Sequence, residues 1–181
     1  MRSLAIDPAF QLALRLALGA VLLQAAAHKL RDVAAFASAI EAYRLLPERL
    51  SRAAAAAFAV AELAIGCALL LPATGPLPSV AAGALIALYS LAVAVNLARG
   101  RREIDCGCAG PAARQPLRGA LLVRNAALVA MAAICALPAT SRSLLWIDAL
   151  TIAAGTAALW IAYVAVETAL SNAARLGALR T

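Results

Sequence analysis

Residues 77–98 read LPSVAAGALIALYSLAVAVNLA, a run of twenty-two positions without one charged side chain. As a helix rising about 1.5 Å per residue it reaches roughly 33 Å, enough to cross a bilayer core of about 30 Å. It lacks the alternation of apolar and polar residues that a membrane barrel strand requires. Four more blocks share this character, at about 10–27, 53–71, 117–137 and 144–170. The first is interrupted by Gln11, Arg15 and Gln24, the second by Glu62, the fourth by Arg118, Arg124 and Asn125, and the fifth by Asp148 and Glu167. The expected fold class is an all-α membrane protein, a bundle of about five transmembrane helices forming one domain over residues 1–181.

The composition excludes an ordinary soluble fold. The chain is 65% hydrophobic and 14% charged over 181 residues, with a mean hydropathy of +0.88. A soluble domain is about half apolar and about a quarter charged. Small residues recur through every block, as close-packed membrane helices need. Ala25-Ala26-Ala27 resembles a signal-peptide cleavage site, but Arg15 lies inside the apolar stretch and only Arg2 precedes it, so the block is read as a retained first helix.

The connections are unequal. Residues 72–76 and 138–143 are short turns, whereas 28–52 and 99–116 are long loops that share one face with the C-terminus. In the first long loop Val33, Phe36, Ile40 and Tyr43 recur at helical spacing with charged residues between them. That pattern predicts a short amphipathic helix at the membrane surface, placed to cover the second loop. The long-loop face carries Lys29, Arg31, Arg44, Arg49, Arg52, Arg99, Arg101, Arg102, Arg114, Arg118, Arg175 and Arg180, against Arg2 and Arg142 opposite. The positive-inside rule assigns such a face to the cytoplasm. The net charge of +7 arises from these flanking residues, so the expected partner is the lipid bilayer and no nucleic acid.

The chemistry concentrates in Asp105-Cys106-Gly107-Cys108-Ala109-Gly110-Pro111. Two cysteines one glycine apart close only a very small ring, which needs a turn that Gly107 permits and Gly110-Pro111 ends. A disulfide so cramped is easily reduced and suits exchange better than stapling. Only Asp105 adds a potential ligand beside the pair, so no metal site is expected. His28 and Arg124 are candidate assisting groups, His28 as a base for thiol exchange, Arg124 to stabilise a thiolate or to hydrogen-bond a quinone or lipid headgroup. Arg15, Glu62 and Asn125 are structural polar groups within the spans, and similar depths predict an Arg15–Glu62 ion pair. Cys67 and Cys135, both at the opposite face, form a candidate second thiol pair, or serve simply as small apolar residues.

The Asp105-Cys106-Gly107-Cys108-x-Gly110 loop, followed by Arg124-Asn125, resembles the methylamine utilisation protein MauE family, within a wider group of DoxX-like membrane proteins. His28-Lys29, Tyr43-x-x-Leu46-Pro47 and Glu62 also fit its pattern, while Ala109 stands where members commonly carry an aromatic residue. The resemblance implies a multi-pass protein of the bacterial inner membrane that supports disulfide formation in periplasmic methylamine dehydrogenase or a similar client. Cys106 and Cys108 would exchange electrons with a thioredoxin-like, MauD-like partner, the small subunit of the dehydrogenase being the client; such chemistry belongs in the periplasm, so the resemblance and the charge count imply opposite faces for the loop. Two alternatives stand beside it. One is a non-catalytic anchor or assembly factor that holds a redox partner through Arg101 and Arg102. The other is a quinone-linked DoxX-like oxidoreductase subunit with its quinone near Arg124.

Overall fold

The computed structural model describes residues 5–71, 74–107 and 115–178, with no side chain described from 174 onward. Cys108, Ala109, Gly110, Pro111 and Arg114 lie outside the described residues, as do Arg2, Arg180 and the side chain of Arg175.

Among the described residues six helices account for the architecture: α1 (Pro8–Arg31), α2 (Val33–Tyr43), α3 (Glu48–Leu70), α4 (Leu77–Ala98), α5 (Gly119–Cys135) and α6 (Trp146–Ala178). Among the described residues no strand forms, only two isolated bridges. The third predicted block matches α4 end to end, and the others agree to within a few residues apart from longer extensions at three ends. Four helices, α1, α3, α4 and α6, are long and apolar enough to span a membrane. The fifth expected span, α5, has 17 residues, or about 25 Å, and reaches the lower end of the spanning range. This is an all-α, multi-pass membrane protein. Leu77, Val123 and Trp146 are 74%, 72% and 84% exposed, positions that bind lipid rather than water in such a chain.

Helix α1 is the centre of the bundle. It packs against α3, α6 and α5, α4 packs against α5 and α3, and α2 lies on α3. Leu18 and Leu22 of α1 meet Leu69, Ala82, Ile86 and Ala132 in the main core. The α1–α3 contact is close because a Cβ at Gly66 would lie 2.9 Å from the Leu23 side chain. Such an approach suits membrane helices, whose association rests on packing of small residues.

At one end of the bundle, Ile6 pairs with the chain after α5: its N–H donates to Pro138 O at 3.0 Å and its carbonyl accepts from Thr140 N at 2.8 Å. Asp7 caps α1 through Ala9 N at 2.8 Å. Arg142 bridges Asp7 and Asp148 with bonds of 2.7–3.0 Å, which joins the starts of α1 and α6. The Arg142 guanidinium holds the Asp7 carboxyl below its ordinary range.

Candidate functional site

The cysteine loop leaves α4 through Gly100, at φ 74°, and returns to α5 through residues 115–118. Its two arms are tied together. Cys106 N donates to Gln115 O at 2.9 Å, and Leu117 N donates to Arg102 O and Ile104 O, each at 3.1 Å. Asp105 is the pivot, because its Oδ1 accepts from Gly107 N at 3.2 Å and Gln115 N at 3.3 Å. Gly107 takes φ 72°, a conformation that costs a residue with a Cβ roughly 1–2 kcal/mol. Asp105 thus fixes the backbone entering the expected turn, whose end at Gly110-Pro111 lies outside the described residues. Cys106 is buried at 6% exposure among Val93, Leu117 and Leu121.

The predicted amphipathic helix forms as α2 and covers this loop. Asp32 caps its start by accepting from Ala35 N at 2.8 Å. At its end Arg101 donates to Ala42 O at 2.7 Å and Tyr43 O at 3.1 Å, and the same guanidinium holds Asn96 Oδ1 at 3.1 Å. Tyr43 Oη donates to Cys106 O at 3.4 Å. A Cβ at Gly107 would stand 3.1 Å from Ala39 Cβ and 3.3 Å from the Phe36 ring, so helix and loop are in direct contact. Arg101, a docking charge in the anchor alternative, fastens α2 to the end of α4.

Beneath α2 is a cavity of about 350 Å³. Its walls are almost wholly apolar, with Phe36, Tyr43, Phe58 and Tyr89 among them, and Lys29, Cys106 and Asn125 also reach it. A second, smaller space of about 60 Å³ adjoins it through Lys29, Phe36 and Ala39, and is lined by His28, Asp32, Asp105 and Gly107. The structure thus brings His28 to the cysteine loop, on the polar side of Lys29.

The ion pair expected within the spans is corrected. Glu62 pairs with Lys29, and the two are 1% and 4% exposed. Side chains on a helix tilt toward its N-terminus. In the antiparallel α1 and α3, Lys29 therefore tilts inward and Glu62 tilts to meet it, whereas Arg15 and Glu62 tilt apart. Arg15 donates to Leu71 O at 3.0 Å and Thr74 Oγ1 at 2.8 Å instead, closing the end of α3. The Lys29 ammonium also lies 4.8 Å from the Phe36 ring centre and 4.7 Å from that of Tyr89, both cation–π distances. Sequence reading missed Lys29 by ending the first helix at residue 27, while α1 runs on to Arg31.

Arg124 forms an ion pair with Glu167 and donates to Asn125 Oδ1 through Nε at 3.2 Å and Nη2 at 2.9 Å. It joins α5 to α6, and its neighbour Asn125, 4% exposed, faces the cavity. Cys67 is exposed on α3, while Cys135 is buried where Gln11 donates to its carbonyl at 3.0 Å. Both are unbonded thiols in the structure.

Comparison with known proteins decides the family. Residues 7–138 match the profile described as "Methylamine utilisation protein MauE". The chain belongs to the MauE family. It is 41% identical over 132 residues to a methylamine utilization protein MauE of Paracoccus versutus, covering 73% of this chain and 71% of the relative. The MauE of Paracoccus denitrificans is 36% identical over 163 residues, covering 89% and 88%. That of Methylorubrum extorquens is 39% identical over 108 residues, covering 60% and 58%. No solved structure matches the chain. The MauE match includes α1 to α5, the cysteine loop and the covering helix, and ends at Pro138 before α6.

Proposed function

We propose that this MauE-family chain is a thiol–disulfide redox protein of the bacterial inner membrane, serving methylamine utilisation by supporting disulfide formation in methylamine dehydrogenase or a similar periplasmic client. The observation that carries the reading is the left-handed backbone of Gly107, the residue between the two cysteines. Its φ of 72°, with its N–H donating to Asp105 Oδ1 at 3.2 Å, supports the bend that a pair spaced Cys-x-Cys requires to close.

The exchange runs between Cys106, Cys108 and the cysteine pair of a thioredoxin-like partner. A partner thiolate attacks one sulfur of the Cys106–Cys108 disulfide, which leaves the other as thiolate and forms a mixed disulfide. The second partner thiolate then displaces the bound cysteine. The partner becomes a disulfide, Cys106 and Cys108 become a dithiol, and two electrons have moved into the membrane protein. His28, in the small space beside Asp105 and Gly107, is placed to exchange protons there.

Single Cys106→Ser and Cys108→Ser variants test this in cells growing on methylamine. Each is expected to abolish disulfide formation in the dehydrogenase small subunit while leaving the membrane protein at normal levels. Unchanged client disulfides in both variants would overturn the reading.

A further inference from the structure

Gln115 carries a buried carboxamide that the fold leaves unused. It is 2% exposed, and among the described residues neither its Nε2 nor its Oε1 has a hydrogen-bond partner. A buried amide without partners is costly, so its presence calls for a reason.

Its place beside the cysteine loop supplies one. Asp105 and Pro116 form an antiparallel bridge, flanked by the bonds from Cys106 N to Gln115 O and from Leu117 N to Ile104 O. That register sets Gln115 directly opposite Cys106. Side chains so placed lie on one face of the pair, with Cβ atoms about 5 Å apart. Leu117, two residues on, is on that face too and packs with Cys106 and Ile104. Asp105 lies on the other face, at the small space that His28 lines. The charged groups around Cys106 are engaged elsewhere. Lys29, which shares the cavity wall with it, pairs with Glu62. The Asp105 carboxylate accepts from Gly107 N and Gln115 N, and the Arg101 guanidinium holds Ala42 O, Tyr43 O and Asn96 Oδ1.

We propose that Gln115 is the thiolate-binding residue of the cysteine pair, its Nε2 donating to Cys106 Sγ when that sulfur carries negative charge. The proposal rests on the thiol–disulfide reading and assigns its two sulfurs different parts. Burial under α2 shields Cys106, so the partner thiolate attacks Cys108. A bond forms between the partner's sulfur and Cys108 Sγ, the Cys106–Cys108 bond breaks, and its electron pair stays on Cys106 Sγ. The charge then stands in an apolar cluster, where a thiolate is disfavoured until a donor meets it. Gln115 turns its amide to that sulfur, and a better stabilised leaving thiolate departs faster.

The test isolates Cys106 in the Cys108→Ser chain, at full length in nanodiscs and without a partner. Alkylation by iodoacetamide, mapped to Cys106 by mass spectrometry, is timed at neutral pH and at strongly alkaline pH, where the thiol is ionised in any case. Gln115→Met, an apolar side chain of matching length, is expected to slow the neutral reaction about tenfold, as loss of a hydrogen bond to a charged group implies. The alkaline rate should stay at its native value. The unfolding temperature should rise in the same variant, because an unpartnered buried amide is gone, whereas loss of a structural glutamine would lower it. Gln115→Leu, a second apolar replacement, should repeat both results. A native ratio of neutral to alkaline rates in a folded variant, or a loss of stability in both variants, would overturn the proposal. The measurement needs no partner, so failure of the proposed exchange and failure of Gln115 are told apart.

Discussion

Gly107 and Lys29 are the two residues on which the site turns. Replacing Gly107 with alanine forces a Cβ into a left-handed conformation and against Ala39 and the Phe36 ring. The expected cost is roughly 1–2 kcal/mol from the backbone alone, with further loss from displaced contacts. Alkylation of Cys106 in the Gly107→Ala variant should be faster than in the native chain, because α2 can no longer seat on the loop. Lys29→Met alone strands a buried carboxylate and should destabilise the protein by about 3–5 kcal/mol. Lys29→Met/Glu62→Met, which leaves no buried charge, should regain most of that in thermal unfolding. The positive φ of Gly107 was legible in the sequence because closing a pair spaced Cys-x-Cys needs a bend that glycine alone adopts freely. The Lys29–Glu62 pair was not. Matching residues by depth ignores the tilt of side chains toward a helix N-terminus, and that tilt separates Arg15 from Glu62.

At the scale of elements, the spans were readable from apolar length alone, and α4 was bounded to the residue. What composition could not supply was the attachment of α2. Its apolar spacing predicted a helix but not its fastening, which comes from Arg101 reaching across to Ala42 O and Tyr43 O. Arg101 read as a surface charge because its two acceptors on α2 are backbone atoms, which leave no mark in sequence. Arg101→Ala should cost about 1.5–3 kcal/mol for lost charge-assisted hydrogen bonds. Hydrogen exchange should then rise across Val33–Tyr43 while α4 and α5 keep their protection. Arg102→Ala, at an exposed neighbour, should leave exchange in α2 unchanged. Unchanged exchange in α2 of the Arg101→Ala variant would show that α2 is held by apolar packing instead.

The whole molecule is closed at the opposite end by Arg142, which binds Asp7 before α1 and Asp148 in α6. The Asp7 carboxyl is held low mainly by its hydrogen bond from Arg142. Its contribution is therefore present above the unfolded carboxylate range and is lost as pH falls through the lower, folded value. Asp7 is exposed, so the effect is a local loosening rather than unfolding. Acidification should raise exchange around Ile6 and Thr140, and Asp7→Asn should show that exchange already at neutral pH. This end ties helices together, and the other end gathers the cysteine loop, His28, Lys29 and the cavity under one helix.

The central claim is that Cys106 and Cys108 exchange disulfides with a thioredoxin-like partner. The most direct measurement traps that bond. A partner whose second cysteine is changed to serine is co-expressed with the native chain, thiols are blocked in acid, and membranes are run without reductant. The account predicts a reducible adduct of the two proteins, mapped by mass spectrometry to Cys106 or Cys108 and absent from the Cys106→Ser/Cys108→Ser double variant. An adduct that persists in that double variant, or none at all with both proteins present, would contradict it.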